Sequence, residues 1–431
     1  MKRSRVLAAV LVASATLIPG AARADEVTDW TEQMFRAHVI AASSPLNTTR
    51  SAAIVQTAIF DAVNGIEKKY SHIRVAPAAP SGASKNAAVM QAAYATLVSL
   101  FPTQKPAFDA RRAVSMTEIG NHESAASIQA GVTWGQTVAD AIIAWRNTDG
   151  FTPPPPPFTG GLAPGQWRPT PPANLPGAGP QFAYMTPWAI QSPSQFRPAG
   201  PPALNSARYA IDFNETRTMG SATSTLRTPD QTIASWFWAS STASYIWNAV
   251  ALDLIAHDNR DWDDDFGGRW NSKHDDSLLS NARLLALMQV AMADAAIGCW
   301  EAKYTYVFWR PVTAIPLADT DGNPATTLDA SWAPLFATPA HPEYPSGHSC
   351  VSGAATAVLA DRFGERTRFS VQSDTMLGVT REFRSFSSAL EDVKDARIFA
   401  GIHFRKATED GTVLGASVAE YVLEHVAERV H

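Results

Sequence analysis

Three separated segments in the last third of the chain hold residue types that make chemical sense together only if they converge: 303–311 (KYTYVFWRP), 345–350 (PSGHSC) and 397–403 (RIFAGIH). Lys303, Arg310 and Arg397 are fixed cations, Ser346 offers a hydroxyl, and His348 and His403 can hold or move protons. That inventory describes a pocket for a tetrahedral or trigonal-bipyramidal oxyanion. Lys303 and Arg310 are seven apart, so on one helix they fall within roughly 20° of a common face and about 10 Å apart along the axis. Pro311 disfavours the α conformation in the residue before it, which predicts a helix from about 277 that ends near Arg310 and leaves this arginine free to reach into a cavity.

The other two segments work through backbone breaks. Pro345, Ser346, Gly347 and His348 precede a small, apolar, helix-permissive run at 351–363, and helix starts expose unpaired N–H groups that attract anions. Gly347 lets an oxyanion approach the main chain without a Cβ in the way. Ser346 also suits a helix N-cap, a role compatible with anion contact. His403 is six residues after Arg397, about 120° away on a continuous helix, so the two meet only if the helix breaks. Gly401 is the expected break, with a new helix starting after His403.

The arrangement resembles the vanadium-dependent haloperoxidase family, within the larger type 2 phosphatidic acid phosphatase superfamily. The motifs are Lys, six residues, Arg-Pro (Lys303, Arg310, Pro311); Pro-Ser-Gly-His (345–348); and Arg, three residues, Gly, one residue, His (Arg397, Gly401, His403). The resemblance implies Lys303, Arg310, Arg397, Ser346 and the Gly347 N–H as oxyanion contacts and His348 as acid/base. His403 would be the residue that binds vanadium or, in the phosphatases, attacks phosphorus. The implied cofactor is vanadate, V(V), with phosphate fitting the same site, and the implied substrates are hydrogen peroxide and a halide or small organic acceptor. Lys303 would polarise the peroxide. Two departures stand out. Ala396 replaces the Ser before the arginine, and Ala407 stands where the phosphatases usually place an Asp, so Glu409 and Asp410 are the expected orienting carboxylates for His403. Trp300 resembles an aromatic wall of chloride-oxidising members, and His341 matches a position where bromide-oxidising members carry His. That mixture favours bromide over chloride, although each residue also suits plain packing.

The elements that must position these groups read as helices. Residues 27–42, 49–69, 84–101, 105–119 and 123–146 carry apolar residues at three and four spacing, as do 206–218, an aromatic-rich region at 228–257, and a stretch around 383–399. Strand signals are nearly absent, so the fold class is all-α. The resemblance implies two four-helix bundles packed as one globular unit, with the site in the core of the C-terminal bundle. Between them, residues 148–204 hold 16 of the chain's 30 prolines. Such a stretch is neither helix nor sheet. Its Trp167, Phe182, Tyr184, Trp188 and Phe196 favour an ordered wrap over a disordered linker. The domain reading is thus a helical region at 25–147, the Pro-rich segment at 148–204 and the site-bearing bundle at 205–431.

Residues 1–24 read as a secretory signal: Lys2, Arg3 and Arg5, an apolar run at 6–19, and an Ala22-Arg23-Ala24 cleavage site. The run is too short to span a bilayer, and the expectation is an exported protein, periplasmic or secreted, that is not membrane-spanning. The net charge of -5 gives no reason to expect nucleic acid as partner. In an exported chain the two cysteines, Cys299 and Cys350, are either a disulfide near the site or a pair of small buried residues. Asp294 lies in an apolar run and is either a buried charge partner or a surface position. In the acidic stretch 258–276 the glycine and the late glutamate that a calcium loop needs are out of place, and it reads as a solvated loop. Two other functions remain open: an exported acid phosphatase using a phosphohistidine, and a non-catalytic oxyanion-binding protein.

Overall fold

Hydroxyls and one carboxylate mark the helix starts of this chain. Asp25, Ser44, Ser84, Ser124, Ser206 and Ser385 each accept a backbone N–H from the first turn they precede, satisfying donors that a helix leaves unpaired. The structure is a computed structural model that describes residues 25–240, 242–257, 277–373, 376 and 378–430. The expected signal sequence and the acidic stretch at 258–276 lie outside the described residues.

The N-terminal helices are α1 (Glu26–Ile40), α2 (Pro45–Glu67), α3 (Lys85–Leu100), α4 (Lys105–Gly120) and α5 (Ala125–Arg146). After the Pro-rich segment come α6 (Ala207–Met219), α7 (Pro229–Ser240), α8 (Ala243–His257) and α9 (Ser277–Tyr306). The remaining helices are α10 (Pro311–Ala314), α11 (Gly347–Phe363), α12 (Phe386–Phe399) and α13 (Arg405–His425). The expected region 228–257 is therefore two helices, and the last helix stops at His425. Two four-residue antiparallel strands, β1 (Phe369–Gln372) and β2 (Thr380–Phe383), pair with Phe369 opposite Phe383. The alternating inward Phe369 and Val371 of β1 are too short a run to register as a strand by pattern alone.

Two helices are buried on all sides and organise the rest. α2 packs against α3, α5 and α9, and α9 packs against α11 and α13, so the α2–α9 contact joins the two helical groups. All-round burial explains why neither helix needs a polar face. α9 is long and apolar enough to cross a membrane, yet its most apolar window is wholly inside the protein. It is a core helix by placement.

The Pro-rich segment lies over this core. Trp167, Phe182, Met185 and Ile190 are buried, Trp167 N–H donates to Val307 O, and Ala178 N–H donates to Ala340 O. Asp294, on α9, is buried and not a surface position: it has Arg146 as a charge neighbour and accepts backbone N–H groups from Trp188 at 2.7 Å, Ala189 at 2.8 Å and Ile190 at 3.0 Å. A short carboxylate on the core helix thus supplies acceptors that a proline-rich strap cannot find within itself.

Burial outweighs the amide donors at Asp294 and raises its carboxyl from 3.8 to about 6. A carboxyl with a raised folded-state pKa contributes stability below its unfolded value and loses that contribution as pH rises through the folded one. Denaturant unfolding of wild type and Asp294→Asn, compared at matched pH, is expected to show the wild-type advantage shrinking by roughly 2 kcal/mol from pH 4 to pH 7. A flat or rising difference would contradict the burial argument.

Candidate active site

α9 does not run on to Arg310. It ends at Tyr306, Val307 takes a left-handed φ of 49°, and the chain runs past Gly165–Trp167 with Trp309 N–H donating to Gly165 O. Arg310, ahead of Pro311, is extended at φ -86°, ψ 156° and serves as the N-cap residue of α10. The expectation that Lys303 and Arg310 share a helix face is therefore wrong. Proline's exclusion of α conformation before it, together with pairing to the Pro-rich segment, unwinds the chain four residues early. The two cations still converge, Arg310 through a loop.

Lys303 is fully buried. Its ammonium donates to Pro342 O at 2.9 Å, Glu343 O at 3.1 Å and Pro345 O, so the 342–345 turn takes all three of its protons. Arg310 is likewise held by carbonyls: Nε donates to His341 O at 2.9 Å and Nη1 to Ile402 O at 2.6 Å. Arg397, on α12, differs. It is 3% exposed, its Nε has no hydrogen-bond partner, and Nη1 reaches only Trp238 O at 3.4 Å. Burial lowers the three cations to about 8 for Lys303, about 10 for Arg310 and about 9 for Arg397.

His403 reaches the same place because the chain turns at Gly401, as the spacing required. Gly401 has φ +74°, and a Cβ there would lie 2.4 Å from Gly220 O, so only glycine fits. Arg310 Nη1 lies 3.1 Å from His403 Nε2, and a guanidinium can only donate, so Nε2 is the acceptor and the proton sits on Nδ1. That proton goes to Glu343 Oε1 at 2.8 Å, which also accepts Phe404 N–H at 2.9 Å. Burial, then the Arg310 and Lys303 charges, holds His403 well below the usual imidazole range. Burial raises Glu343 to about 7 against the opposing pull of Arg310.

Glu343 is the residue that sequence reasoning missed. Glu409 and Asp410, the expected orienting carboxylates, are engaged elsewhere: Glu409 pairs with Arg208, and Asp410 with Tyr344 and Lys406. The signal was a lone carboxylate two residues before the PSGH motif, in an otherwise apolar HPEYP run. At Ala407 it is the backbone that acts, its carbonyl accepting Ser346 N–H at 2.9 Å.

Ser346 takes the N-cap position of α11, but its hydroxyl makes no cap bond and is buried without a partner. Gly347 is crowded by the indole of Trp300, where a Cβ would meet ring carbons at 3.0 and 3.2 Å. Trp300 lies 5.0 Å from the His341 ring, and His341 Nδ1 lies 3.0 Å from Arg310 Nη2. Trp300, His341, Gly347, His348, Arg397 and His403 all line one cavity of about 700 Å³. Lys303, Arg310 and Ser346 are not among its lining residues; they support the floor from behind. Cys299 and Cys350 are buried free thiols, with Cys299 Sγ donating to Pro345 O at 3.7 Å, so the disulfide alternative does not hold. Among the described residues no group of three or more His, Cys, Asp and Glu could hold a metal ion directly.

The floor therefore carries three buried cations against one buried carboxylate, an orphaned buried hydroxyl and an orphaned guanidinium nitrogen. Each asks for an oxyanion, and vanadate or phosphate fits that demand.

Residues 283–431 match the family model described as the VCPO second helical-bundle domain. Vanadium chloroperoxidase of Curvularia inaequalis is 28% identical over 269 residues, covering 48% of this chain and 42% of that protein. The chain thus spans less than half the length of this curated relative. The crystal structure of the first bacterial vanadium-dependent iodoperoxidase superposes with a TM-score of 0.75 at 25% identity, covering 94% of this chain and 97% of that one. A holo-type bacterial vanadium-dependent chloroperoxidase shares the fold, with a TM-score of 0.66 at 15% identity over 95% of this chain and 94% of that one. Fold and floor define a helical-bundle protein with a buried oxyanion site. In its C-terminal third by family model, and over nearly its whole length by fold, the chain is similar to the vanadium-dependent haloperoxidases.

The different bonding of Arg397 and Lys303 predicts different consequences on substitution. Arg397→Met is expected to weaken inorganic phosphate binding tenfold or more, with the melting temperature unchanged or raised, because an uncompensated buried charge is removed. Lys303→Met leaves carbonyls of the 342–345 turn without donors and is expected to cost about 2–4 kcal/mol of stability. Calorimetric titration with phosphate and denaturant unfolding check both; equal destabilisation by the two would refute the distinction.

Proposed function

We propose that this chain oxidises halide with hydrogen peroxide to hypohalous acid, with vanadate as cofactor and bromide favoured over chloride. The observation that carries the reading is the floor itself, where a histidine with its Nε2 lone pair aimed among three buried cations has its Nδ1 proton fixed by Glu343. His403 Nε2 would hold the cofactor, and Arg310 and Arg397 would balance its charge with fixed donors in place of water. Ser346 Oγ and the Gly347 N–H add donors at the start of α11. Vanadate held there would supply Lewis acidity to hydrogen peroxide at constant oxidation state.

The remaining work falls to the chain's own groups. His348, half-buried at the cavity floor, is positioned to exchange a proton with a peroxide oxygen through its imidazole nitrogens. Lys303 contributes its charge from behind the 342–345 turn, and releasing one of those carbonyls would let Nζ touch a bound oxygen. The relatives are named for chloride and iodide; the bromide preference rests on His341, a half-buried imidazole whose Nδ1 accepts from Arg310 beside the Trp300 wall.

One observation favours a second reading. Glu343 gives His403 the orienting acceptor that a nucleophilic histidine needs, so an acid phosphatase with a phosphohistidine intermediate draws support from the same contact. The test uses wild-type protein freed of bound oxyanion, assayed for peroxide-dependent bromination of a cyclic diketone and for aryl phosphate hydrolysis, before and after orthovanadate is added. Bromination that requires vanadate, is faster with bromide than with chloride, and falls at least a hundredfold in His403→Ala is the expected result. Phosphatase activity that vanadate only inhibits, without bromination, would replace this reading with the second.

Glu343→Gln separates the two uses of the histidine. Loss of the carboxylate lowers the basicity of His403 and is expected to weaken orthovanadate binding roughly 10- to 100-fold. Phosphate, held by charge alone, is expected to bind as well or better once a nearby negative charge is gone. Equilibrium dialysis of both anions checks this, and a parallel loss for the two would contradict ligation through Nε2.

A further inference from the structure

Glu343 has two carboxylate oxygens, and His403 uses only one of them. Oε1 accepts the His403 Nδ1 proton at 2.8 Å and the Phe404 N–H at 2.9 Å. Oε2 is buried with no hydrogen-bond partner among the described residues. Two further polar atoms, in the aromatic cluster packed beside Glu343, share that condition: the Tyr209 hydroxyl and Trp309 Nε1. Tyr209 is 1% exposed, and Trp309 and Glu343 are fully buried. Each such atom is costly to leave unpaired, and three gathered at one place call for a shared partner.

The backbone brings the three together. Glu343 N–H donates to Phe308 O at 2.9 Å, while its Oε1 takes the Phe404 N–H. The Tyr209 ring meets both of these phenylalanines edge-on, 6.3 Å from Phe308 and 5.7 Å from Phe404 between ring centroids, and Trp309 follows Phe308 directly. Burial, then the charges of Asp321 and Glu343, raise the phenol above its usual value, and the Trp309 indole N–H opposes the rise. Asp321 is already engaged: its two oxygens accept Asn323 N–H at 2.7 Å and the Thr326 hydroxyl at 2.8 Å. The orphans are thus an indole N–H that only donates, a carboxylate oxygen, and a hydroxyl that does either. One buried water satisfies all three, accepting from Trp309 and Tyr209 and donating to Glu343, and about three hydrogen bonds is the usual complement of such a water.

We propose that Tyr209 is a positioning residue of the oxyanion site: through a buried water shared with Trp309, its hydroxyl holds Glu343 Oε2 and so fixes the carboxylate against His403. This deepens the reading of His403 as the residue that holds vanadate, and rests on it. A carboxylate bonded at one oxygen is free to turn about its Cγ–Cδ bond. Bonded at both, it is locked in the plane that keeps Oε1 on Nδ1, and the ring orientation of His403 and the direction of its Nε2 lone pair follow. Thr216, seven residues after Tyr209 and on the same face of α6, donates its hydroxyl to His403 O at 3.0 Å. α6 then braces His403 twice, once at the backbone and once through Glu343.

Tyr209→Phe removes the hydroxyl and keeps the ring. Equilibrium dialysis of protein freed of bound oxyanion is expected to show orthovanadate binding roughly three- to tenfold weaker and inorganic phosphate binding unchanged, whereas a variant that merely loosened the fold would weaken both. The Nδ1 proton resonance of His403, identified by its absence in His403→Ala, is expected to shift upfield as its bond to Glu343 lengthens. In a Glu343→Gln background Tyr209→Phe is expected to add nothing further, because the path through the carboxylate is already cut. Unchanged orthovanadate binding in Tyr209→Phe, equal loss of both anions, or losses that multiply in the double variant each overturn the inference. His403→Ala separates two kinds of failure. If it loses orthovanadate affinity while Tyr209→Phe does not, the role of Tyr209 alone is wrong. If it binds orthovanadate as the wild type does, the reading of His403 fails and the role of Tyr209 falls with it.

Discussion

Three cations buried in the core of a helical bundle must be solvated by something, and here peptide carbonyls do most of it. Lys303 and Arg310 are held by the carbonyls of His341, Pro342, Glu343, Pro345 and Ile402. An intact α-helix has no such carbonyls to give, because its own N–H groups take them. The backbone therefore leaves helical geometry in three places around the site: after Tyr306, through 341–346, and at 400–404. The second and third breaks have local causes, in Pro342 and Pro345 and in Gly401, whereas the first combines Pro311 with pairing to Gly165–Trp167. The irregular backbone at the centre of this all-helical fold is what makes the buried charge tolerable.

Carbonyls stabilise cations without neutralising them, so the site keeps net positive charge. Glu343 is the one buried carboxylate at the floor, and burial raises it to about 7, which limits how much of that charge it offsets. The lowered pKa values of Lys303 and Arg397 record the remaining cost. An anion between Arg397, Ser346 and His403 relieves it. Arg397 Nε and Ser346 Oγ, which no group among the described residues satisfies, are the donors such an anion would engage.

Much of this was readable in the sequence, for reasons that differ by residue. The cations, the PSGH turn and the Gly401 break depend on residue type and short spacing, and local physics fixes both. Arg310 was placed wrongly because a seven-residue spacing suits a helix, and the pairing that unwinds it comes from Gly165–Trp167, well over a hundred residues away. Glu343 went unseen because its meaning depends on His403, 60 residues later. Asp294 remained ambiguous until the strap it anchors was in place, more than a hundred residues earlier in the chain. The fold class was legible from periodicity, whereas the hairpin at 369–383 was too short to show.

The N-terminal half gains a role from the same geometry. The turn before α2 and residues 178–182 of the Pro-rich segment supply the far wall of the cavity, while every group of the oxyanion floor comes from the C-terminal half. A bundle carrying the floor alone would leave that site open to bulk water, where each cation–oxyanion contact weakens with the rise in local dielectric. The strap closes the site, and the closure depends on Asp294 fixing Trp188–Ile190 to α9 a few turns from Lys303. Asp294 and Lys303 lie nine residues apart on one continuous helix, so the anchor of the strap and the innermost cation of the floor are held in register by α9. That is why the longest and most thoroughly buried helix of the fold carries both.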